Sequence, residues 1–135
     1  MGGKMFLGTF ETKLIGKNRL VMPAKLKREI GSERLVLTIG FEQCIFGFRE
    51  NDWAQAVAPE LSRPFFSDEK GRDLRRKIGA NALVVDLDSQ GRFVMPESMA
   101  VFAGIATGGV TLIGAGDHFE IWQTERWETY RQKMG

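Results

Sequence analysis

Two arginines set at tight turns carry the most distinctive chemistry in this chain. Arg19 closes Ile15-Gly16-Lys17-Asn18-Arg19, and Arg92 closes Asp88-Ser89-Gln90-Gly91-Arg92. An arginine offers five donors in a planar fork, which fits a phosphate as an ion pair or the O6/N7 edge of guanine as a bidentate contact. Lys13 and Lys17 stand beside the first arginine and suit backbone phosphates, with Lys25 and Lys27 as weaker candidates. Asn18 and Gly91 occupy the same slot of their turns, and these two residue types most easily accept the left-handed backbone of a tight hairpin. Asp88 lies four residues before Arg92 and can orient its guanidinium.

Other chemistries find little to work with. One cysteine, Cys44, forms no internal bridge, and one histidine, His118, excludes the usual Cys/His zinc frameworks. Gly16-Lys17-Asn18 lacks the upstream glycine spacing and the Ser/Thr of a phosphate-cradling loop. Gly114-Ala115-Gly116-Asp117-His118-Phe119 holds two of the three glycines of a dinucleotide fingerprint and joins two strands, so it reads as a turn. Asp86 and Asp88 could mimic a carboxylate pair, but no nucleophile or base lies near them in sequence, and they read as turn-flanking structure. His118 reads as a packing or hydrogen-bonding residue and Cys44 as an inert buried thiol. No nucleophile, base and orienter assemble, so the expectation is a non-enzyme without cofactor or metal.

The elements that position the arginines recur. Arg19-Leu20-Val21-Met22-Pro23 is echoed by Arg92-Phe93-Val94-Met95-Pro96 at an offset of 73, and Val36 to Gly40 by Val110 to Gly114 at 74. Phe48 with Trp53 is likewise answered by Trp122 with Trp127 at 74. Each copy reads as a strand (Thr9 to Ile15; Ala82 to Asp88), the turn, and a short strand (Arg19 to Met22; Arg92 to Met95) ended by proline. A short helix follows (Ala24 to Ile30; Glu97 to Ala103), stopped at Gly31 and Gly104. Two more strands (Leu35 to Gly40 and Cys44 to Phe48; Val110 to Gly114 and Phe119 to Trp122) precede a helix opening at Asn51 or Thr124. The reading is one repeat over residues 9–53, a helical connection over 54–81 and a second repeat over 82–127. Pro59 and Pro64 are expected to break the start of the connection, and Ser67-Asp68-Glu69 to cap a helix. Arg72, Arg75, Arg76 and Lys77 at its end read as helix-dipole complementation with ion pairs to Asp68, Glu69 and Asp73.

A chain of 135 residues, 43% hydrophobic and 27% charged, buries roughly 68% of its unfolded surface and needs no disulfide or metal. No apolar run approaches the roughly 20 residues that span a bilayer, and the N-terminus lacks an export segment, so a cytoplasmic protein is expected. The net charge of +2 is small, but residues 1–30 carry +5 whereas 78–135 carry −3. A basic face of that kind fits either a nucleic-acid surface or ordinary solvated surface. Phe65-Phe66 and the three tryptophans offer aromatic surface for subunit contacts.

Met5-Phe6-Leu7-Gly8, the paired turn-arginine motifs, and Phe119-Glu120-Ile121-Trp122 with Glu125-Arg126-Trp127 resemble the MraZ family from Met5 to about Tyr130. Met1 to Lys4 then read as an extension. The family signature is Asp-x-x-x-Arg at each turn; the second copy, Asp88 to Arg92, keeps it, while the first carries Ile15 in place of the aspartate. The resemblance implies an α+β, mainly β fold in which tandem swapped-hairpin repeats of the SpoVT-AbrB type form one pseudo-twofold barrel with flanking helices. It also implies a DNA-binding repressor or regulator of the bacterial division and cell-wall gene cluster. Its partners would be double-stranded DNA at repeated promoter sites and copies of itself in a ring-like homo-oligomer, with nucleoid association and neither membrane nor small-molecule substrate. The rival expectation is an oligomeric protein-interaction scaffold with no DNA role.

Overall fold

The computed structural model describes residues 5–135, and the reading of Met1 to Lys4 as an extension lies outside the described residues. The chain is mixed α+β, with nine strands and five helices among the described residues. The first half runs β1 (Thr9–Thr12), β2 (Leu14–Ile15), β3 (Arg19–Val21), α1 (Ala24–Ile30), β4 (Leu35–Ile39), β5 (Ile45–Arg49) and α2 (Glu50–Leu61). After α3 (Glu69–Ala80) come β6 (Leu83–Val85), β7 (Arg92–Val94), α4 (Glu97–Ala103), β8 (Val110–Gly114), β9 (Phe119–Gln123) and α5 (Thr124–Met134).

Two antiparallel sheets form, a six-stranded one in the order β1-β8-β9-β5-β4-β6 and a three-stranded one in the order β2-β3-β7. Each half lends a strand to the other. β1 pairs with β8, while β6 pairs with β4. This exchange corrects the expected single strand from Thr9 to Ile15: the chain leaves one sheet after Thr12 and enters the other at Leu14, so Lys13 lies between two strands. The expected strand from Ala82 to Asp88 is likewise shortened to β6, because the Asp88 carboxylate engages the backbone of the following turn. The single barrel is corrected too. β1 and β6 remain the two edges of the large sheet, and β2, β3 and β7 form a separate one.

Alternation along the strands sorts the faces. Leu35, Leu37, Ile45, Val110, Leu112, Phe119 and Ile121 point inward and share one buried cluster with Leu20 and Phe93 of the small sheet. Leu26 and Ile30 of α1, with Met99, Ala100 and Ala103 of α4, complete it. Pro23 and Pro96 precede these two helices, and Gly31 and Gly104 end them at positive φ, as expected from the sequence. On the outer face of the large sheet, Phe48 meets Trp53 of α2 edge-on at 5.4 Å, and Trp122 meets Trp127 of α5 at 5.3 Å.

The ladders refine the internal correspondence. Leu35 pairs with Arg49 and Ile39 with Ile45, as Val110 pairs with Gln123 and Gly114 with Phe119. β4 therefore corresponds to β8 at an offset of 75 rather than 74, whereas β5 and β9, with the helices α2 and α5 that follow them, keep 74. The loop after α4 is longer than the one after α1, and the β8–β9 turn is shorter than the β4–β5 turn.

The connection also differs from its expected form. Pro59 lies in the last turn of α2, which continues to Leu61 instead of breaking there. Asp68 caps α3 by accepting from the Gly71 N–H at 3.0 Å, and it pairs with Arg63. Of the five cations on α3, only Arg76 forms an ion pair among the described residues, with Asp73 at 3.0 Å. Arg72 donates to the carbonyls of Phe65 and Phe66, and Arg75 to those of Leu61 and Arg63, so these two guanidiniums fasten the α2–α3 connection. Lys77 rests over the Phe41 ring.

The small sheet supplies a stability test. Leu20 is fully buried between the sheets, whereas Val94 is 56% exposed on the opposite face. Leu20→Ala is expected to destabilise by about 2–5 kcal/mol and Val94→Ala by no more than about 0.5 kcal/mol, read from urea unfolding midpoints at constant m.

Candidate nucleic-acid interface

The two turn arginines, 73 residues apart in sequence, stand on adjacent strands. β3 and β7 pair antiparallel with Arg19 opposite Val94, Leu20 opposite Phe93 and Val21 opposite Arg92. The ladder extends one step beyond each strand, since the Met22 N–H donates to the Gly91 carbonyl at 2.9 Å and the Met95 N–H to the Asn18 carbonyl at 2.7 Å. Leu20 and Phe93 occupy the buried face, so Arg19, Val21, Arg92 and Val94 share the outer one. The arginines are diagonal neighbours, with Cα atoms on the order of 7–8 Å apart. Ile15, opposite Arg19 on β2 and 39% exposed, extends the same face.

The two turns hold their arginines differently. In the second, Asp88 accepts from the N–H groups of Gln90 and Arg92, both at 2.9 Å, and from the Arg92 guanidinium, also at 2.9 Å. The Arg92 N–H, reinforced by the guanidinium and the Gln90 N–H, overcomes partial desolvation and holds the Asp88 carboxyl below its ordinary value. Gly91 needs its positive φ of 76°, and a Cβ there would lie 2.8 Å from the Lys27 side chain. In the first turn Asn18 takes the left-handed conformation at φ 55°, and Ile15 offers no acceptor. Among the described residues no hydrogen bond or ion pair holds the exposed Arg19 guanidinium.

The remaining sequence candidates divide. Lys17 and Asn18 sit in the first turn. Lys27 crosses from α1 in the first half to the second turn, where its ammonium donates to the Ser89 carbonyl at 3.3 Å. Lys13 and Lys25 are exposed, and among the described residues no hydrogen bond or ion pair ties either to the arginine pair. Sequence reading missed Val21 and Val94 as members of this face; their two-residue spacing from the arginines was the available signal. It also treated residues 1–30 and 78–135 as separate fields, but the pairing of β3 with β7 merges them at the arginines.

His118 lies elsewhere, on the outer face of the large sheet. Its ring stacks on Phe48 at 5.1 Å and meets Phe46 edge-on at 5.2 Å. Its two nitrogens lie 2.8 Å from carboxylate oxygens of Asp117 and Glu120, and Glu120 also accepts from the Trp122 indole at 2.9 Å. Burial pushes the histidine down, but the hydrogen bonds to Glu120 and Asp117 outweigh it and raise the pKa above 6.5. Cys44 is fully buried, and desolvation, with the charges of Glu120 and Glu42, pushes its thiol far up and keeps it protonated. No group of three His, Cys, Asp or Glu side chains among the described residues is arranged to hold a metal ion. No helix among them is long and apolar enough to cross a membrane.

The His118 cluster sets a pH dependence. The folded state binds this proton more tightly than the unfolded chain, so the stabilisation is complete below about pH 6.5 and is lost as pH rises through the higher folded-state pKa. Thermal unfolding is expected to give a higher Tm near pH 6 than near pH 8.5, and His118→Asn to reduce that difference. An unchanged difference would assign the pH dependence to other groups.

Comparison with known proteins agrees with these features. The family model for the MraZ protein matches residues 5–76 and 78–134. A protein of Roseiflexus castenholzii named transcriptional regulator MraZ is 36% identical over 130 residues, covering 96% of this chain and 89% of its own. Proteins of the same name from Syntrophomonas wolfei and Micrococcus luteus are 38% and 40% identical, covering 95% and 93% of this chain and 87% and 86% of theirs. With both turn arginines on one outward face and similarity along nearly its whole length, the chain belongs to the MraZ family.

Proposed function

We propose that this chain is a sequence-specific DNA-binding transcriptional regulator. In this reading it is a repressor of the bacterial division and cell-wall gene cluster, works in the cytoplasm at the nucleoid, and carries out no catalysis. The observation that carries the proposal is the shared outward face of β3 and β7, where Arg19 and Arg92 project side by side from strands that bury Leu20 and Phe93 behind them. A rigid sheet holding two guanidiniums at that spacing suits adjacent phosphates or a guanine edge. The name transcriptional regulator, borne by relatives that cover almost the whole chain, supports it.

Arg19 and Arg92 are the principal contacts in this reading. Lys17 and Asn18 join them from the first turn and Lys27 from α1, and Lys13 and Lys25 are outlying phosphate contacts. Asp88 and Gly91 shape the second turn. Residues 9–53 and 82–127 act as two swapped-hairpin repeats of the SpoVT-AbrB type joined by residues 54–81, a view supported by the exchange of β1 and β6 between the halves. Copies of the chain assemble as a ring-like homo-oligomer on repeated promoter sites, where effective concentration multiplies a weak single contact. Light scattering is expected to return a mass above that of a dimer; a mass of one 15.2 kDa chain across micromolar concentrations would remove the avidity mechanism.

The scaffold reading draws on one observation, the 91% exposed Phe66 beside Phe65 in the α2–α3 connection. A titration of labelled promoter duplex at two salt concentrations separates the two. Steeply salt-dependent binding supports the regulator, and no binding near 50 mM salt supports the scaffold.

The arginines are expected to contribute unequally. Arg19 is exposed and lacks the carboxylate that offsets Arg92, so Arg19→Ala should lower affinity and flatten the plot of log affinity against log salt by about one unit per subunit engaged. Arg92→Ala should do less. Ile15→Asp places a carboxylate opposite Arg19 and should weaken binding modestly; a gain would show that orienting the guanidinium outweighs its net field. An Arg92→Ala loss equal to the Arg19→Ala loss would refute the asymmetry.

A further inference from the structure

Three residues of the small sheet stand in one row across its strands. Ile15 of β2 lies opposite Arg19 of β3, and Arg19 lies opposite Val94 of β7. Residues directly opposite in a ladder project from the same face, so the Arg19 side chain rises between two apolar ones. Both are open to solvent, Ile15 at 39% and Val94 at 56%. Neighbouring strands are about 4.8 Å apart, which makes the row roughly 10 Å long, about the length of three base steps.

The second half builds the equivalent place differently. Arg92 has Val21 opposite it, but Asp88 stands where the first turn has Ile15. The Asp88 carboxylate is spent on the Arg92 guanidinium and on two backbone N–H groups. Arg92 is thus flanked by one apolar group and a carboxylate, Arg19 by two apolar groups. Among the described residues no hydrogen bond or ion pair holds the Arg19 guanidinium.

Single exposed valines and isoleucines are ordinary on strands, so exposure alone assigns these two nothing. Their placement around an unpaired cation does. A second copy of the chain is a poor occupant, because a subunit contact would bury that charge without a partner. A polyanion supplies the charge complement. Beside the O6/N7 edge of guanine that accepts an arginine fork, the major groove of DNA presents one apolar group, the C5-methyl of thymine. Ile15 and Val94 are stiff at χ1 and lose little freedom on meeting it.

We propose that Ile15 and Val94 are specificity-determining residues that pack on thymine methyl groups to either side of a guanine held by Arg19. The inference rests on the DNA-binding reading and adds to it the base read beside the arginine.

The test uses the full chain and a duplex that it selects from a random-sequence pool. The guanine is located as the position where 7-deazaguanine weakens binding by the unsubstituted chain but not by Arg19→Ala. Each dT is then replaced in turn by dU, which deletes the methyl and keeps the base pair. On each side of that guanine, one dT→dU replacement is expected to weaken binding about threefold, the effect of one buried methyl. Val94→Ala should itself bind about threefold more weakly and lose its response to dU on one side; Ile15→Ala should lose it on the other. Circular dichroism and light scattering check that fold and mass are kept, and Val94→Gln or Ile15→Gln replaces a variant that fails either check. Absence of such a guanine or of any sensitive dT beside it, or dU losses that persist in full in both variants, would overturn the proposal and leave DNA binding itself standing. No binding of any duplex near 50 mM salt would remove the DNA-binding reading and this proposal together.

Discussion

The pairing of β3 with β7 is the interaction on which the rest of the molecule depends. Three residues from each half meet in register, and the ladder reaches through Met22 to Gly91 and through Met95 to Asn18. That short ladder buries Leu20 against Phe93 and fixes what faces outward. Strands this short are marginal alone, so they rely on the cluster beneath them. β1 and β6 reinforce the arrangement, because neither half keeps all of its strands in its own part of the large sheet. Separating the halves would unpair both and expose the shared core, so the two halves are expected to be stable only together.

On this frame the two turns solve one geometric problem with different chemistry. The second spends a carboxylate on two backbone N–H groups and a guanidinium, which fixes Arg92 and screens it. The first relies on a left-handed Asn18 and leaves Arg19 to solvent. Lys27 narrows the difference by reaching the second turn from the helix of the first half. Electrostatic character is therefore set by contacts across the halves rather than by charge along the chain.

The opposite side of the large sheet has another logic. Phe48 with Trp53 and Trp122 with Trp127 fasten α2 and α5 to it at equivalent ladder positions. His118 departs from that symmetry, wedged against Phe46 and Phe48 and bracketed by two carboxylates. In the connection, Arg72 and Arg75 bond to backbone carbonyls where carboxylates were expected. The chain between α2 and α3 leaves carbonyls unsatisfied by helix, and a guanidinium with five donors serves several at once.

Local chemistry was legible in the sequence wherever a few neighbouring residues decide the outcome. Proline and glycine bounded α1 and α4 at the expected residues, Asp68 capped α3, and Asn18 and Gly91 marked the two left-handed turns. The family resemblance was legible for the same reason, since its motifs are short and contiguous. Tertiary structure alone decided which strands would partner. A run such as Thr9 to Ile15 carries the same alternation whether it serves one sheet or two, and only the positions of β8 and β3 divide it at Lys13. The one-residue slip between β4 and β8 was hidden because loop lengths change on both sides of the strand, while its apolar pattern looks alike in either register. The shared face of Arg19 and Arg92, the reach of Lys27 to Ser89 and the row of Ile15, Arg19 and Val94 all join residues far apart in the chain. Such proximity is fixed by burial of one common core, a property of the whole chain that no local pattern encodes.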